Sequence, residues 1–79
     1  MTPAPTKLQI ALGQALRARR AELGISQEEV SAKSGLARSF LSAAETAKAS
    51  ISLRSAERLA AALELSLSEL IARAERLIG

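Results

Sequence analysis

The stretch QEEVSAKSGLARSFLSAAE, residues 27–45, places two short segments of helical pattern on either side of a glycine. Val30 in the first segment and Leu36 and Leu41 in the second fall at spacings that turn them toward a shared interior. Gly35 ends the first segment early, because glycine readily adopts the left-handed backbone of a sharp turn. The pattern predicts two short helices held at a fixed angle, with one face of the second left exposed.

This arrangement is typical of a helix-turn-helix, in which the second helix enters the major groove of DNA. The same spacing also occurs in ordinary pairs of packed helices, so the pattern alone is a hypothesis. The hypothesis of a helix-turn-helix therefore needs support from the flanking sequence.

Capping signals divide the rest of the chain into helices. Three pairs have the spacing of a capping box, in which a Ser or Thr is followed three residues later by Glu or Gln: Thr6 with Gln9, Ser26 with Glu29, and Ser66 with Glu69. Ser52 caps one further helix, and Gly24 ends the first. The apolar residues are mainly Ala, Leu and Ile, with a single aromatic, which favours helices over strands. We expect an all-α fold: a flexible arm at residues 1–6, then a compact five-helix domain at residues 7–79.

Composition narrows the function. The chain has a net charge of +3 and contains no cysteine and no histidine, so the usual thiolate and imidazole groups of metal sites and hydrolases are missing. We therefore expect the chain to have no enzymatic activity and to bind no cofactor, metal or small-molecule ligand.

The sequence also predicts a location. No apolar run approaches membrane-spanning length, and nothing resembles a signal peptide, so the expected location is the cytoplasm, at the bacterial nucleoid or in a phage-infected cell. The positive charge is concentrated in residues 1–58, which suits phosphate binding but is equally common on solvated surfaces.

Two charged residues lie on stripes that should face inward. Arg20 follows Leu16 by four residues, and Glu45 follows Leu41 by four. Either charge alone would be buried without a partner, whereas an arginine fork meets a carboxylate with two hydrogen bonds. We therefore predict that Arg20 and Glu45 pair; the alternative is two unrelated surface charges.

Two longer segments, GQALRARRAELGISQEEVSAKSGLARSFLS (residues 13–42) and SLRSAERLAAALELSLSEL (residues 52–70), resemble the Xre/Cro family of lambda-repressor-like DNA-binding domains. The resemblance covers residues 8–71. It implies five helices, with helix three as the recognition helix and the start of helix two docked on the DNA backbone. Arg20 and Glu45 match an ion pair that recurs in the family. The tract SISL, residues 50–53, is also similar to restriction-modification controller proteins.

The resemblance assigns roles to single residues. It places three side chains at base edges: Arg38, Ser39 and Ala43. It assigns five to the DNA backbone: Gln27, Ser42, Lys48, Arg17 and Arg19. Arg38 is the strongest of these candidates because arginine binds guanine O6 and N7 together. For the basic residues a plain solvated charge is the alternative, and for Gln27 it is an ordinary polar residue at a helix start.

The sequence departs from the family at several places. Ala37 stands where a capping residue usually begins helix three, which predicts a weaker start for that helix. Ala44 and Ala56 stand where the family has larger core residues, and Ala47 and Glu64 stand where it has glycine. These replacements predict a tighter or shifted fit of helix three and its following loop against helix four.

The last helix predicts the mode of assembly. Specific DNA binding usually uses two half-sites about one helical turn apart, so a domain this small is expected to act as a homodimer. We assign the outer part of the last apolar stripe to a two-fold interface: Leu67, Ile71, Leu77 and Ile78. The alternative is that this helix only covers its own core. The predicted function is a transcriptional regulator that binds a palindromic operator and acts as a repressor or an activator. The alternative is a protein-interaction module or an antitoxin-like subunit using this helix.

Overall fold

The computed structural model describes residues 4–79, which form five helices and no strand. The helices are α1 (Lys7–Leu23), α2 (Gln27–Ser34), α3 (Arg38–Glu45), α4 (Leu53–Ala62) and α5 (Leu67–Ile78). The all-α prediction is confirmed. Residues 1–3 of the predicted N-terminal arm lie outside the described residues.

The helix starts follow the capping signals. The side chains of Thr6, Ser26 and Ser66 each accept a hydrogen bond from the backbone N–H three residues ahead, and the Gln or Glu there accepts one in return. All three predicted capping boxes are confirmed. Ser52 accepts from the Ser55 N–H and begins α4. Ala37 gives α3 no side-chain cap, which agrees with the weak start predicted for that helix.

The core lies where the five apolar faces meet. α1 packs on α3 and α5, α2 packs on α3 and α4, and α4 packs on α5. The largest fully buried side chains come from every helix: Leu16, Val30, Leu41, Leu59, Leu63 and Leu70. Because this single core holds α3 from its inner side, the outer side of α3 is left on the surface. None of the helices within residues 4–79 has the length and hydrophobicity needed to cross a membrane.

Two non-glycine residues adopt the left-handed backbone conformation. Ala47, just after α3, has φ 57°, and Glu64, just after α4, has φ 60°. These are the two positions at which the family resemblance leads us to expect glycine. A Cβ atom in this conformation contacts the neighbouring carbonyl oxygen and costs about 1–2 kcal/mol. This cost gives the expectation of glycine a physical basis.

Replacing Ala47 or Glu64 with glycine is therefore expected to stabilise the protein. Relief of the left-handed strain exceeds the added entropy of the unfolded chain, for a net gain of about 0.5–1 kcal/mol at each site. Urea denaturation of the two single variants measures the gain. Ala18→Gly, in the exposed interior of α1, is the matched control and should lose about 1 kcal/mol. Losses at all three sites would show that the backbone at Ala47 and Glu64 carries no strain.

Candidate nucleic-acid interface

The turn between α2 and α3 is fixed by hydrogen bonds as well as by packing. Gly35 has φ 74°, the left-handed conformation that the turn requires. The Ser31 hydroxyl donates to the Leu36 carbonyl oxygen at 2.5 Å, and the Leu36 N–H donates to the Ser34 hydroxyl at 3.2 Å. Both serines belong to α2, so side chains of α2 hold the backbone that leads into α3.

The two sides of α3 differ sharply. Leu41 and Ala44 are buried, and Phe40 is partly buried against the same core. Arg38, Ser39 and Ser42 are exposed. α3 therefore presents a polar outer face from a firmly packed base.

A concave surface forms between the start of α2 and this outer face. Its lining includes Gln27, Arg38, Ser39 and Ser42. The structure thus brings together two residues predicted to read bases and two predicted to hold the DNA backbone. Ala43 is half-buried one turn after Ser39. Two further candidates do not line this surface: Lys48, which is exposed beyond α3, and Arg17, which is exposed on α1.

A polar network joins α1, α2 and α3 behind the concave surface. Arg20 donates from Nε to Glu45 Oε2 at 2.9 Å and from Nη2 to Glu45 Oε1 at 3.1 Å. The Glu45 side chain is only 4% exposed. Arg20 Nη1 donates to the Ile25 carbonyl oxygen at 3.2 Å, and Gln27 Nε2 donates to Glu45 Oε1 at 3.1 Å. The two charges expected to pair are therefore in bidentate contact, and Gln27 is held by the same carboxylate.

The network favours the charged form of Arg20. Its hydrogen bond to Glu45 raises the pKa of the Arg20 guanidinium above its ordinary value, although partial burial acts in the opposite direction. A charged, two-point contact fixes the angle between the guanidinium and carboxylate planes. The end of α3 is thereby tied to α1.

Gly13 marks a second contact between α1 and α3, which the sequence reasoning missed. A Cβ atom at Gly13 would lie 2.6 Å from the Ala44 carbonyl oxygen and 2.7 Å from the Glu45 carbonyl oxygen. Both distances are far below van der Waals contact, so only glycine allows this approach. The available signal was a glycine on the inward side of a helix, where alanine would ordinarily be more stable.

The family model described as helix-turn-helix matches residues 16–70, which include the turn, the concave surface and the Arg20–Glu45 pair. The chain belongs to the Xre/Cro-type helix-turn-helix family. This is a family of DNA-binding transcription regulators. No curated protein matches the chain in sequence.

Three solved structures have a similar fold. The restriction-modification controller protein C.AhdI from Aeromonas hydrophila is 37% identical, with 78% of this chain and 94% of that chain covered and a TM-score of 0.76. The clp gene regulator ClgR from Corynebacterium glutamicum is 29% identical over 96% of this chain and 80% of that chain, with a TM-score of 0.86. A hypothetical transcription factor, NHTF, from Neisseria is 33% identical over 90% and 84%, with a TM-score of 0.77.

Within this helix-turn-helix domain, Arg19, which was predicted to contact the DNA backbone, makes two contacts inside the protein. Its Nε donates to the Leu63 carbonyl oxygen at 3.0 Å, and its Nη1 donates to Glu22 at 3.1 Å. Arg73 of α5 donates to the same Glu22 carboxylate at 3.0 Å. Hydrogen bonds from Arg73 and Arg19 lower the pKa of the Glu22 carboxyl below its ordinary value. Arg19 therefore ties α1 to the end of α4, and its contact with the DNA backbone stays a prediction.

The predicted interface residues of α5 fall into two groups. Leu67 and Ile71 are half-buried, and Ile71 packs against the core. Leu77 is 55% exposed, and Ile78 is exposed as well. Both line a shallow groove beside Ile10 of α1, another exposed apolar residue. We call Ile10, Leu77 and Ile78 the α1–α5 patch.

Proposed function

We propose that the chain is a sequence-specific transcription regulator that places α3 in the major groove of a palindromic operator and binds there as a homodimer. The observation that carries the proposal is the convergence of Gln27, Arg38, Ser39 and Ser42 on one concave surface. The regulator acts by occupying DNA in the cytoplasm, without catalysis or a cofactor. Repression follows if the occupied site blocks RNA polymerase, and activation follows if the bound dimer recruits it.

Base reading is assigned to the exposed face of α3. Arg38 is the first residue of α3, and its side chain is 64% exposed, so its guanidinium is free to reach guanine O6 and N7. Ser39 and Ala43 lie one turn apart on the neighbouring face. A serine hydroxyl suits either a donor or an acceptor on a base edge, and an alanine methyl suits the thymine methyl group.

Backbone contacts are assigned to residues around the concave surface. Gln27 gives one amide hydrogen to Glu45, and its second amide hydrogen remains to donate to a phosphate oxygen. Ser42 lies on the same surface, and Lys48 and Arg17 supply exposed charges outside it. Such contacts set the position of α3 on the duplex and carry no sequence information themselves.

Arg38→Ala is the variant that tests base reading. Selection of bound sequences from random duplex DNA should yield a palindromic site for the wild type, with a guanine at symmetric positions. The variant should relax that position and lose about 1–3 kcal/mol of operator binding, because one bidentate base contact is removed. Affinities are measured at two salt concentrations, since phosphate contacts weaken with salt.

The matched control is Arg76→Ala, which removes the same charge from α5. It should leave the selected sequence unchanged, because α5 packs on α1 and α4 and carries none of the residues of the concave surface. If the wild type enriches no sequence at either salt concentration, α3 is not a recognition helix. The alternative hypothesis, a protein-interaction module in which α5 binds another protein, then replaces the proposed function.

The dimer is assigned to the α1–α5 patch. The patch exposes three apolar side chains to water. A second copy of the chain would cover them, and burying apolar surface is favourable. A two-fold interface is self-complementary, so one patch serves both subunits. The patch lies at the end of α5 and the start of α1, whereas the concave surface is formed by α2 and α3. Pairing through the patch therefore leaves both recognition helices exposed.

Leu77→Asp is expected to convert the dimer to a monomer without unfolding it, because an exposed leucine is replaced by a charge that a paired apolar surface would bury. Sedimentation equilibrium should give twice the chain mass for the wild type and one chain mass for the variant. Leu53→Asp introduces the same charge at an exposed leucine of α4 and should remain dimeric. Dissociation by Leu53→Asp alone would move the interface to α4, and a monomeric wild type that binds its operator would remove the dimer from the proposal.

A further inference from the structure

Glu28 faces the arginine assigned to base reading. It is the second residue of α2, and its Oε1 lies 4.0 Å from Nη1 of Arg38, which is longer than a hydrogen bond, so the two side chains interact through the attraction of their charges. Both side chains are largely exposed, Glu28 at 75%. The neighbouring Glu29 is engaged differently, since its carboxylate accepts the Ser26 N–H in the capping box. Glu28 is therefore the carboxylate that lies beside Arg38, one of the residues lining the concave surface.

A carboxylate at this place needs an explanation, because it opposes DNA binding in general. It repels phosphates that approach the start of α2, and it partly neutralises Arg38. On those grounds alone, Glu28 would only weaken binding to every DNA sequence.

We propose that Glu28 is a positioning residue that holds Arg38 for guanine and keeps it from phosphates; this inference rests on the function proposed above. A guanidinium has five N–H donors in a planar fork. The contact with Glu28 is at Nη1, which leaves other donors for guanine O6 and N7. Arg38 therefore keeps Glu28 while it reads a guanine.

The consequence is a difference between specific and non-specific complexes. At the operator, Arg38 binds guanine and stays beside Glu28. Because attraction to Glu28 already favours this orientation of the arginine, binding costs less side-chain entropy. On other sequences, a contact between Arg38 and a phosphate requires the arginine to leave Glu28. Glu28 thus lowers non-specific binding while it supports operator binding, and the ratio of the two affinities rises.

Glu28→Gln tests this with two duplexes: the operator selected by the wild type, and a scrambled duplex of equal length and composition. The variant should bind the operator no more tightly and the scrambled duplex more tightly, so the ratio of affinities falls by about 2- to 5-fold, the range of an exposed ion pair. On scrambled DNA, the logarithm of the binding constant falls with the logarithm of the salt concentration. The slope of this line should become more negative by roughly 0.9, the value for one added phosphate contact. Glu75→Gln, exposed on α5, removes the same charge and should leave the ratio unchanged.

The Arg38→Ala background separates positioning from simple repulsion. There, Glu28→Gln should no longer change the ratio, because no arginine remains to be held. An equal gain on both duplexes in the wild-type background, or the same fall in the ratio with Arg38 absent, would overturn the role of Glu28. Failure of the proposed function has a different signature, which is a wild type that selects no operator.

Discussion

Replacing Arg20 with methionine is expected to lower the free energy of unfolding by about 3 kcal/mol, the low end of the cost of breaking a buried ion pair, because Glu45 is buried whereas Arg20 is 20% exposed. Methionine keeps most of the apolar stem, so the loss reports the missing guanidinium. Glu45, which is 4% exposed, would keep only the Gln27 amide as a side-chain partner. Because a domain of this size has about 5 kcal/mol to lose, urea denaturation should show a fold close to its limit of stability.

The double variant Arg20→Met with Glu45→Leu identifies the cause. It removes both charges, so most of the loss should be recovered, as is often found when apolar residues replace a whole buried pair. Arg17→Met, an exposed arginine on the same helix, is the matched control and should change stability by no more than about 0.5 kcal/mol. A loss below about 1 kcal/mol for Arg20→Met would place the pair among ordinary surface ion pairs.

Local features of the fold were predictable from the sequence because their causes are local. A capping box needs only residues three apart, and the pairs at Thr6, Ser26 and Ser66 all form. Gly24 and Gly35 end their helices in the left-handed conformation for the same reason. The match of Arg20 to Glu45 also required only helical periodicity, since both charges fall on inward stripes.

Features set by the crossing of helices were not predictable. Arg19 reaches the Leu63 carbonyl oxygen because packing brings the end of α4 to α1, and no spacing in the sequence encodes that distance. Ile10 joins Leu77 and Ile78 on one surface because α5 ends beside the start of α1. Glu28 meets Arg38 only through the angle between α2 and α3. Each of these contacts joins two helices, whereas the sequence pattern describes one helix at a time.

After Arg20, Gly13 is the residue whose contact between two helices should matter most for stability. Elsewhere in a helix, Gly→Ala stabilises by about 0.5–1 kcal/mol. Here the added Cβ would meet two backbone carbonyl oxygens of α3, at 2.6 and 2.7 Å, and backbone cannot rotate away as a side chain does. Gly13→Ala is expected to cost about 1–3 kcal/mol of stability, the range for an overpacked core, and urea denaturation measures it.

The same variant should weaken DNA binding while it is still folded. The atoms that must move belong to Ala44 and Glu45 at the end of α3, so the recognition helix shifts relative to α1 and the base contacts lose their alignment. Losing one bidentate base contact costs about 1–3 kcal/mol. Operator affinity should therefore fall roughly tenfold, and affinity for scrambled DNA should change less. Gln14→Ala, the exposed neighbour, should leave both affinities unchanged. If Gly13→Ala instead stabilises the protein and keeps operator affinity, α3 does not depend on its close approach to α1.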